Sequence, residues 1–537
     1  MNCQAGFIKP LRARYQSVAQ LLEQHRRDMP AKQALVDVER QRQISFAELA
    51  HAVDSVAVQL IRHGLGKGSR ALLLSESSIE KIIAWLALWR IGAVVCPLDP
   101  FFYRSAALAT VQTMAPDIIL ADAGQQDLDL LREVALPTLF LQSWGGAAPD
   151  DAAMSAATFA DDLLTFDAPF ETRALDSVAA PAASDLACLS CTSGTSGIPK
   201  VVAYDHHAYW ENGQDSIDLL GLEAQDRSLE YRSLDWFSAQ ILSLMPFLQC
   251  GLTLHLARKF SYRHFPDWIA SHRISFCAGV PAVINILLNQ PLGEADGKRL
   301  SSLRRMSCST APLAEINWAE FEKRYGIPLV NLYGSSETGW ICGNRYQQVC
   351  TGTVGRALDN VEIEIRSRIG ASCPDGSAGQ VIVSSDKIAL GYLQADGQLH
   401  ALRGAPLAMR DIAMRDADGC LRIIGRIDDL ISRGGAKIAP AEIEAVLLSH
   451  PDVAEAAVIG VADAVYGQQP ICFVVARAGR RIDPGAILRH CASLLPREKL
   501  PQQVLAVAAL PRNPRGKLIR AELVRMHRQA AQASDQA

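Results

Sequence analysis

The stretch Thr192-Ser193-Gly194-Thr195-Ser196-Gly197-Ile198-Pro199-Lys200 follows a short apolar segment, residues 186–189, that predicts a β-strand. Glycines let the backbone turn tightly and bring its N–H groups close to an anion. The serine and threonine hydroxyls add donors, and Lys200 adds a mobile positive charge. The pattern indicates a phosphate-binding loop, with a flexible surface loop as the alternative. It is not a Walker loop, because the spacing of Gly194, Gly197 and Lys200 does not fit G-x-x-x-x-G-K-[ST].

The length and composition describe a large, well-packed protein. With 537 residues the chain is too long for a single core, so we expect at least two domains. Apolar residues make up 49% and charged residues 20%, which is ordinary for a soluble globular protein. The net charge of −4 gives no reason to expect a nucleic-acid partner.

The thirteen cysteines are scattered and odd in number, which suits reduced thiols in a cytoplasmic enzyme. The pair Cys188-x-x-Cys191 lacks a second pair at zinc spacing, and His206-His207 lacks a carboxylate at helical spacing. We therefore expect no metal site at either place. No apolar signal-peptide core precedes Tyr15, and the apolar run 82–98 is interrupted by Arg90 and Gly92, so we expect no membrane span.

The first half of the chain alternates between helical and strand patterns, which predicts a parallel sheet covered by helices on both faces. Residues 143–185 are rich in Ala, Asp and Pro and predict an exposed connection with a little local helix. Alternating elements return over residues 206–345. The individual expectations are helices over 46–63, 79–89 and 240–248, and strands over 71–74, 93–98 and 117–121.

Two clusters in the second alternating region carry candidate functional residues. Asp235-Trp236-Phe237 predicts either packing of two aromatics in the core or one wall of an apolar ligand pocket. In the stretch 331–339, NLYGSSETG, we expect Gly334 to end a strand and the Tyr333 ring to be able to stack on a flat ligand. Ser336 and Glu337 offer the hard oxygen donors that Mg²⁺ prefers.

A charged run at 425–429 followed by Gly434-Gly435 marks a domain junction. The part of the chain after it predicts a compact α+β module, a reasonable size for a domain. It ends in a loop at 511–517 that presents Lys517, followed by a helix and a polar tail. The expected elements are helices 441–449, 484–495 and 518–529 and strands 453–459, 471–477 and 503–508.

Four motifs together resemble the AMP-forming adenylating enzymes, the superfamily of acyl-CoA synthetases, peptide-synthetase adenylation domains and firefly luciferase. They are TSGTSGIPK at 192–200, YGSSETG at 333–339, GRIDD at 425–429 with AEIE at 441–444, and PRGK at 514–517. Their order and spacing match the superfamily from about residue 16 to residue 526.

The resemblance implies an α/β fold. A large N-terminal domain, 1–427, would hold parallel-rich sheets covered by helices, and a small α+β C-terminal domain, 428–537, would turn on a hinge at Asp428. It also implies a two-step reaction. A carboxylic acid attacks the α-phosphorus of ATP, and a thiol then displaces AMP. The cofactors implied are ATP, Mg²⁺ and CoA or a carrier-protein pantetheine, so the partners are a small carboxylic acid, ATP, CoA and, in the alternative case, a carrier protein acting in trans.

The resemblance also assigns roles to individual residues. Lys517, Glu337 and Lys200 would be catalytic, with Glu337 also holding the metal. The nucleotide would contact Thr192, Ser193, Gly194, Thr195, Ser196, Gly197, Lys200, Thr310, Ala311, Pro312, Tyr333, Gly334, Ser335, Ser336, Asp411 and Arg426. The acyl pocket would be lined by Trp236, Phe237, Val280, Thr310, Leu332 and Trp340, which suggests an apolar or aryl acid.

The chain departs from the superfamily's pattern at three places. Met409-Arg410 stand where Thr-Gly commonly precedes the ribose aspartate, Ser309-Thr310-Ala311 replace Gly-Gly-Ala, and Ser432 replaces a lysine. Asp235 is similar to the aspartate that grips the amine in amino-acid-activating members, although its spacing to Gly251 is long for that alignment. A carrier-loading ligase, a luciferase-like oxygenase and a non-catalytic nucleotide-binding relative are the alternatives to an acyl-CoA synthetase.

Overall fold

The computed structural model describes residues 13–99, 104–122, 133–134, 136–144, 163–167, 171, 173–192, 199–513 and 518–535. The chain divides into two compact units. The first unit comprises Met1–Lys259 and Lys387–Leu402, and the second comprises Phe260–Asp386 and Arg403–Ala537.

A mixed sheet in the first unit contains the strand that leads into residues 192–200. Neighbouring strands are parallel from Leu186–Cys191 to the edge strand Leu163–Leu164. They are antiparallel from Leu186–Cys191 to the opposite edge strand, Leu399–Ala401. In spatial order the strands are Leu399–Ala401, Gly391–Leu393, Val201–Asp205, Leu186–Cys191, Val94–Leu98, Arg70–Leu74, Ile118–Asp122, Thr138–Leu141 and Leu163–Leu164.

A second group of strands in the first unit is also largely parallel. Arg227–Glu230, Thr253–Leu256 and Gln33–Asp37 run parallel, and Arg42–Ser45 returns antiparallel to Gln33–Asp37. The central strands of both groups are largely buried, as expected when helices cover a parallel sheet on its two faces, whereas the edge strand Leu399–Ala401 is exposed.

Several helices of the first unit begin at a residue whose side chain caps the helix. Ser45 accepts from the Glu48 N–H while the Glu48 carboxylate accepts from the Ser45 N–H, which forms a capping box. Gly64, with φ +83°, follows the end of the same helix. The helices are Val18–Asp28, Phe46–Arg62, Ile79–Arg90, Arg104–Met114, Arg173–Asp176, His206–Leu220, Phe237–Ala239 and Met245–Cys250.

The helix that follows Trp236 is irregular. Its segment Gln240–Leu244 is a π-helix, which lies between Phe237–Ala239 and Met245–Cys250. Such a widened turn accommodates one extra residue and is frequently found at functional sites. The predicted helix 240–248 is therefore confirmed, with a local geometry that periodicity does not reveal.

The second unit contains three groups of strands. Phe276–Cys277, Arg305–Cys308 and Leu329–Ser335 are parallel, and Gly339–Gly343 and Arg356–Ala357 continue antiparallel. An antiparallel sheet follows, in the order Glu362–Arg366, Gly379–Ser384, Leu407–Arg415 and Leu421–Arg426. The third sheet has the order Ala436–Ile438, Ile431–Arg433, Gly467–Ala476 and Val453–Asp463, with Gln503–Ala506 parallel to Gly467–Ala476.

The helices of the second unit pack on these sheets. Two of them, Pro440–Leu448 and Pro484–Leu494, cover the last sheet and bury Ile443, Leu447 and Ile487 in a common apolar core. The others are Phe265–His272, Pro281–Asn289, Glu294–Arg299, Glu315–Tyr325 and Arg520–Asp535, with 3₁₀ turns at Leu300–Ser302, Ile427–Asp429 and Arg497–Lys499.

Most predicted elements are confirmed to within a few residues, and one expectation is wrong. Gly334 does not end its strand, because Leu329–Ser335 continues through it with a bulge between Tyr333 and Gly334. The connection 143–185 contains the expected local helix, Arg173–Asp176, and also an unpredicted short strand, Leu163–Leu164, that pairs with the sheet. After Asp429 the chain forms the hairpin Ile431–Arg433 and Ala436–Ile438, which the sequence analysis did not predict. The domain boundary at Asp428 stays a prediction.

Candidate active site

The loop 192–200 closes a β-hairpin. Leu186–Cys191 and Val201–Asp205 pair antiparallel, and the Thr192 N–H donates to the Lys200 carbonyl at 2.9 Å. The residues between them, 193–198, lie outside the described part, and with them the predicted contacts of Ser193, Gly194, Thr195, Ser196 and Gly197. The hairpin ends nevertheless fix where the loop leaves and re-enters the sheet.

Lys200 has an aromatic neighbour that the sequence analysis missed. Its ammonium lies 4.5 Å from the centroid of the Tyr392 ring. Tyr392 is directly opposite Val202 in the neighbouring antiparallel strand, so the sheet register brings the two side chains together. An ammonium over an aromatic face is attracted by the ring quadrupole, which orients the Lys200 side chain.

The Asp235 carboxylate is bound within the protein. The Lys81 ammonium donates to Asp235 Oδ1 at 2.6 Å and to the Ser75 carbonyl at 2.7 Å. The Ser233 hydroxyl donates to Asp235 Oδ2 at 2.6 Å. The Lys81 side chain is 0% and the Asp235 side chain 4% exposed, so the two form a buried ion pair. Both carboxylate oxygens of Asp235 thus have partners in the folded chain.

The neighbouring aromatics differ in their surroundings. The Phe237 ring stacks on Tyr204 with centroids 4.0 Å apart and meets the Tyr209 ring edge-on at 5.4 Å. Phe237 is buried and Trp236 is half-buried. Packing in the core, one of the two alternatives for this cluster, therefore describes Phe237, and the role of both residues in an acyl pocket stays a prediction.

Tyr333, Asp411 and Arg426 come together in the second unit. The Tyr333 hydroxyl donates to Asp411 Oδ2 at 2.7 Å, and Arg426 Nη1 lies 4.0 Å from Asp411 Oδ1. Asp411 and Arg426 are direct partners across two paired strands. Burial, and then the Asp411 charge, raise the pKa of Tyr333 well above its ordinary value, so its hydroxyl remains a donor at neutral pH.

Residues 335–338 form the turn between two paired strands. The Ser335 hydroxyl accepts from the N–H groups of Glu337 at 3.1 Å and Thr338 at 3.2 Å. A side chain at Gly334 would bring its Cβ within 1.9 Å of the Gly339 carbonyl oxygen, so the close approach of the two strands requires glycine. Ser336 and Glu337 are the two central residues of this turn, and both are half-buried.

The remaining predicted pocket residues of the second unit follow or lie in its parallel strands. Val280 follows Phe276–Cys277, Thr310 follows Arg305–Cys308, and Leu332 lies in Leu329–Ser335. Thr310 has φ +76°, a left-handed conformation that is a genuine outlier for a β-branched residue and costs about 1–3 kcal/mol. Ala311 and Pro312 come next in the same loop, and Trp340 is buried opposite Gly334.

Two residues at which the chain departs from the superfamily's pattern, Arg410 and Ser432, have side-chain partners in the structure. Arg410 forms an ion pair with Asp428, which Arg426 Nη2 also approaches at 3.9 Å. Ser432 stands opposite Lys437 in the hairpin, and the Lys437 ammonium donates to the Ser432 hydroxyl. The loop 514–517, with Lys517, lies outside the described residues.

The candidates that the sequence analysis set aside as metal ligands are buried. His206 packs edge-on against Trp89 at 5.2 Å, and burial lowers its pKa to about 4. Cys188 and Cys191 are buried in the sheet, and neither forms a disulfide. Over the described ranges, no group of three or more His, Cys, Asp or Glu side chains could hold a metal ion, and no helix is long and apolar enough to cross a membrane.

Two protein-family models match the chain. Residues 22–393 match "AMP-binding enzyme", and residues 442–517 match "AMP-binding enzyme C-terminal domain". These matches confirm the predicted resemblance and the predicted fold class, a large N-terminal α/β domain followed by a C-terminal domain.

Individual proteins resemble the chain over nearly its whole length. The indoleacetate–CoA ligase of Aromatoleum aromaticum is 30% identical over 521 residues, 93% of this chain and 96% of the relative. The L-proline–[L-prolyl-carrier protein] ligase of Pseudomonas fluorescens is 27% identical over 513 residues, 92% and 96% of the two chains. The crystal structure of ATP-bound MatB from Rhodopseudomonas palustris has a TM-score of 0.81 at 26% identity and covers 94% of this chain and 98% of its own.

Proposed function

This chain belongs to the AMP-binding enzyme family, and from that premise we propose that it is an AMP-forming acid–thiol ligase. In the first step, a carboxylate oxygen of the acid attacks the α-phosphorus of ATP, and the bond to the pyrophosphate oxygen breaks. In the second step, a thiol sulfur attacks the acyl carbon, and AMP leaves. The observation that carries the proposal is the group Tyr333, Asp411 and Arg426, assembled within a chain that matches the family from residue 22 to residue 393.

We assign the nucleoside to this group. A carboxylate is an acceptor only, so Asp411 suits the two ribose hydroxyls, and the guanidinium of Arg426 lies close enough to share that contact. The Tyr333 ring supplies a flat face beside adenine. The hydrogen bond from its hydroxyl to Asp411 holds both side chains in one arrangement before ATP binds, which reduces the ordering that binding requires.

The turn 335–338 fits a magnesium site of the kind that shares its ion with a nucleotide. Mg²⁺ usually binds through one or two carboxylates together with substrate phosphates, and Glu337 with Ser336 offers hard oxygen donors in the middle of a hydrogen-bonded turn. A bound Mg²⁺ neutralises charge on the phosphate oxygens. The protein's contribution is to hold the Glu337 backbone through Ser335, so that its carboxylate starts from a fixed position.

We place the phosphates of ATP at the loop 192–200 and at two lysines. Negative charge develops on phosphoryl oxygens during attack, and preorganised donors stabilise it. Lys200, oriented by Tyr392, would act on the pyrophosphate side. Lys517 would reach the α-phosphate and the carboxylate from the C-terminal domain, which we place after a hinge at Asp428. Rotation of that domain would withdraw Lys517 before the thiol enters.

The acid that we favour is apolar or aromatic and lacks a free amino group. An ammonium on the substrate would need a carboxylate partner, and Asp235, the carboxylate next to the predicted pocket residue Trp236, is already bound by Lys81 and Ser233. Asp235 carries one negative charge, so it cannot compensate both the Lys81 ammonium and a substrate ammonium, and burying the second positive charge would be unfavourable. The relative named for indoleacetate is an example of a ligase for an aryl acid of this kind.

We propose CoA as the thiol and a location in the cytoplasm. The second candidate for the thiol is the pantetheine of a carrier protein acting in trans, which the likeness to the prolyl-carrier ligase favours. The twelve described cysteines form no disulfide with one another, which suits a reducing compartment.

The test is ATP–pyrophosphate exchange with a panel of fatty acids, benzoates, indole and cinnamic acids and amino acids. We expect exchange that depends on an aryl or apolar acid and is absent with amino acids. Adding CoA, and separately a pantetheine-loaded carrier, then decides the thiol. Folded protein that binds ATP but shows no acid-dependent exchange with any member would contradict the proposal.

A further inference from the structure

The segment that leads into the irregular helix is buried although it is neither strand nor helix. It covers residues 231–236, between the strand Arg227–Glu230 and the helix Phe237–Ala239. Four of its six residues are buried, and Ser233 and Trp236 are half-buried. Buried backbone N–H and C=O groups need hydrogen-bond partners, so the partners of this segment decide how firmly it is held.

Side chains from other parts of the chain bind the backbone of this segment. The Leu234 N–H donates to the Ser77 hydroxyl at 3.0 Å, and the Leu234 carbonyl accepts from the side-chain amide of Gln240 at 2.7 Å. The Ser190 hydroxyl donates to the Asp235 carbonyl at 3.3 Å. Ser77 and Ser190 are distant in sequence, so tertiary contacts fix the backbone of the segment in addition to its own turn.

The side chain of Asp235 adds a charged anchor, Lys81. The Lys81 ammonium donates to the Ser75 carbonyl at 2.7 Å and to Asp235 Oδ1 at 2.6 Å. Ser75 directly follows the strand Arg70–Leu74, so the ammonium joins the end of a sheet strand to the segment. A hydrogen bond between charged groups is about twice as strong as a neutral one, so we expect Lys81 to restrain Asp235 firmly.

The position of Lys81 is otherwise unfavourable for a cation. It is the third residue of the helix Ile79–Arg90, where the partial positive charge of the helix N-terminus repels an ammonium. Its side chain is fully buried, so the ammonium has also lost its water. An apolar residue of similar length would avoid both costs. The bonds to Ser75 and Asp235 offset these costs, and the useful effect of the charge is to hold Asp235.

Trp236 follows Asp235 and begins the irregular helix. Its carbonyl accepts from the N–H groups of Ala239 at 2.9 Å and Gln240 at 3.1 Å, and its own N–H donates to the Ser233 carbonyl at 3.1 Å. The backbone of Trp236 is therefore continuous with an anchored turn on one side and with the helix on the other. The place of the indole ring depends on this backbone.

We propose that Lys81 and Ser77, four positions apart at the start of one helix, are positioning residues for the acid substrate. By holding Asp235 and Leu234 they fix the place of Trp236, which forms one wall of the acyl pocket in the function proposed above. The inference rests on that function. A displacement of about 1 Å can lower a rate about 100-fold, so a loosened wall weakens both the binding and the alignment of the acid.

The proposal separates the acid from ATP. The nucleoside group assigned above, which includes Tyr333, belongs to the second compact unit, whereas Ser77, Lys81 and Trp236 belong to the first. Loosening the anchor should therefore change the KM for the acid more than the KM for ATP. A loss of folded protein, in contrast, lowers the apparent kcat and leaves both KM values unchanged. The two KM values thus distinguish a positioning role from a structural one.

The experiment measures ATP–pyrophosphate exchange with the acid and ATP varied in turn. The acids are indole-3-acetate, benzoate, cinnamate and decanoate. Lys81→Met removes a bond to a charged group and should raise the KM for the acid about 10-fold or more, with a change of less than about 2-fold in the KM for ATP. Ser77→Ala removes a neutral bond and should raise the KM for the acid about 2- to 10-fold.

Two further variants separate positioning from stability. Lys81→Met/Asp235→Asn carries no buried charge, so its urea midpoint should return toward that of the wild type, whereas its KM for the acid should stay raised because the charged bond is absent. Lys387→Met is the matched control, since it breaks another fully buried pair, with Asp215, in the same compact unit. It should lose stability without raising the KM for the acid.

The outcomes distinguish this inference from the proposed function. A wild-type protein without acid-dependent exchange would contradict the proposed function itself. If the wild type exchanges and the KM for the acid is unchanged in Ser77→Ala and in the double variant, only the positioning role is overturned, even where Lys81→Met fails to fold. An equal rise in the KM for the acid in Lys387→Met would also overturn it, because general loosening of the unit would then be a sufficient explanation.

Discussion

The hydroxyl of Tyr333 donates a hydrogen bond to Oδ2 of Asp411 at 2.7 Å, which links the hairpin after Leu329 to the strand pair that carries Arg426. The bond joins residues 78 positions apart in sequence. The other carboxylate oxygen of Asp411, Oδ1, lies 4.0 Å from Arg426 Nη1. We infer that this arrangement prepares the ribose and adenine contacts in advance.

Replacing Tyr333 by Phe removes that bond while keeping the ring. A hydrogen bond to a charged group contributes about 1.5–3 kcal/mol, so we expect the KM for ATP to rise roughly 10-fold or more, with a smaller change in kcat. Steady-state kinetics with ATP varied measures this. Asp411→Asn, which also weakens an acceptor for the ribose, should raise the KM further. A fall in kcat with an unchanged KM would contradict the assignment.

Lys200→Met tests the proposed role of this lysine in the adenylation step. Losing one preorganised donor to a developing charge lowers the rate about 100- to 1,000-fold, and we expect a loss of that size in ATP–pyrophosphate exchange. Tyr392→Leu only removes the aromatic partner of Lys200. An exposed cation–π contact contributes about 0.5–1 kcal/mol, so exchange should fall only about 2- to 5-fold. Equal losses of exchange activity in Lys200→Met and Tyr392→Leu would contradict a direct role of the Lys200 charge, and would mean that its contact with Tyr392 is what matters.

The buried pair of Lys81 and Asp235 gives a stability prediction. Removing one partner leaves an uncompensated buried charge, so Lys81→Met should lower the free energy of unfolding by about 3–5 kcal/mol. The double variant Lys81→Met/Asp235→Asn carries no buried charge and should recover a large part of that loss. The midpoint of urea unfolding measures both. A double variant that is as unstable as the sum of the single variants would mean that the two residues act independently.

The buried His206 makes stability depend on pH. Burial lowers its pKa from the ordinary 6.5 to about 4, although Asp185 and Asp205 oppose the shift. The unfolded chain therefore takes up this proton at a higher pH than the folded chain does. Stability is fully present above pH 6.5 and is lost as the pH falls from about 6.5 to 4, by at most ~3 kcal/mol.

Thermal unfolding of wild type and His206→Phe across this range measures the contribution. The slope against pH should be shallower in His206→Phe than in wild type. The exposed His63 provides a matched control, and His63→Ala should keep the wild-type slope. If the slope of His206→Phe equals that of the wild type, His206 has the same pKa in the folded and the unfolded chain, and the prediction is wrong.

Local patterns in the sequence are sufficient for much of the fold. The apolar face of residues 46–61 and the glycine after it predict the helix Phe46–Arg62, because its cap and its end are both encoded within a few residues. The strand leading into residues 192–200 is likewise correctly predicted. In contrast, Gly334 was expected to end a strand. Its real function, allowing two strands to approach within a van der Waals contact, depends on a partner strand that no local pattern reveals.

The candidate site is predictable in its motifs and less so in its contacts. Tyr333 and Arg426 come from two separate motifs and Asp411 lies in neither, and the structure brings the three together. The contact of Lys200 with Tyr392 depends on a strand that arrives 192 positions later, which periodicity cannot place. The same holds for Lys81, whose partner Asp235 is 154 positions away. Long-range ion pairs and ring contacts of this kind follow from the sheet order.

The transfer of oxygen from the acid to AMP tests the central claim most directly. An acid that supports exchange is labelled with ¹⁸O in its carboxylate and incubated with the enzyme, ATP, Mg²⁺ and CoA. Mass spectrometry then measures the ¹⁸O content of the AMP and of the pyrophosphate. Attack on the α-phosphorus predicts AMP that carries one ¹⁸O and pyrophosphate that carries none. The appearance of ADP with ¹⁸O in inorganic phosphate would place the attack on the γ-phosphorus and contradict the account.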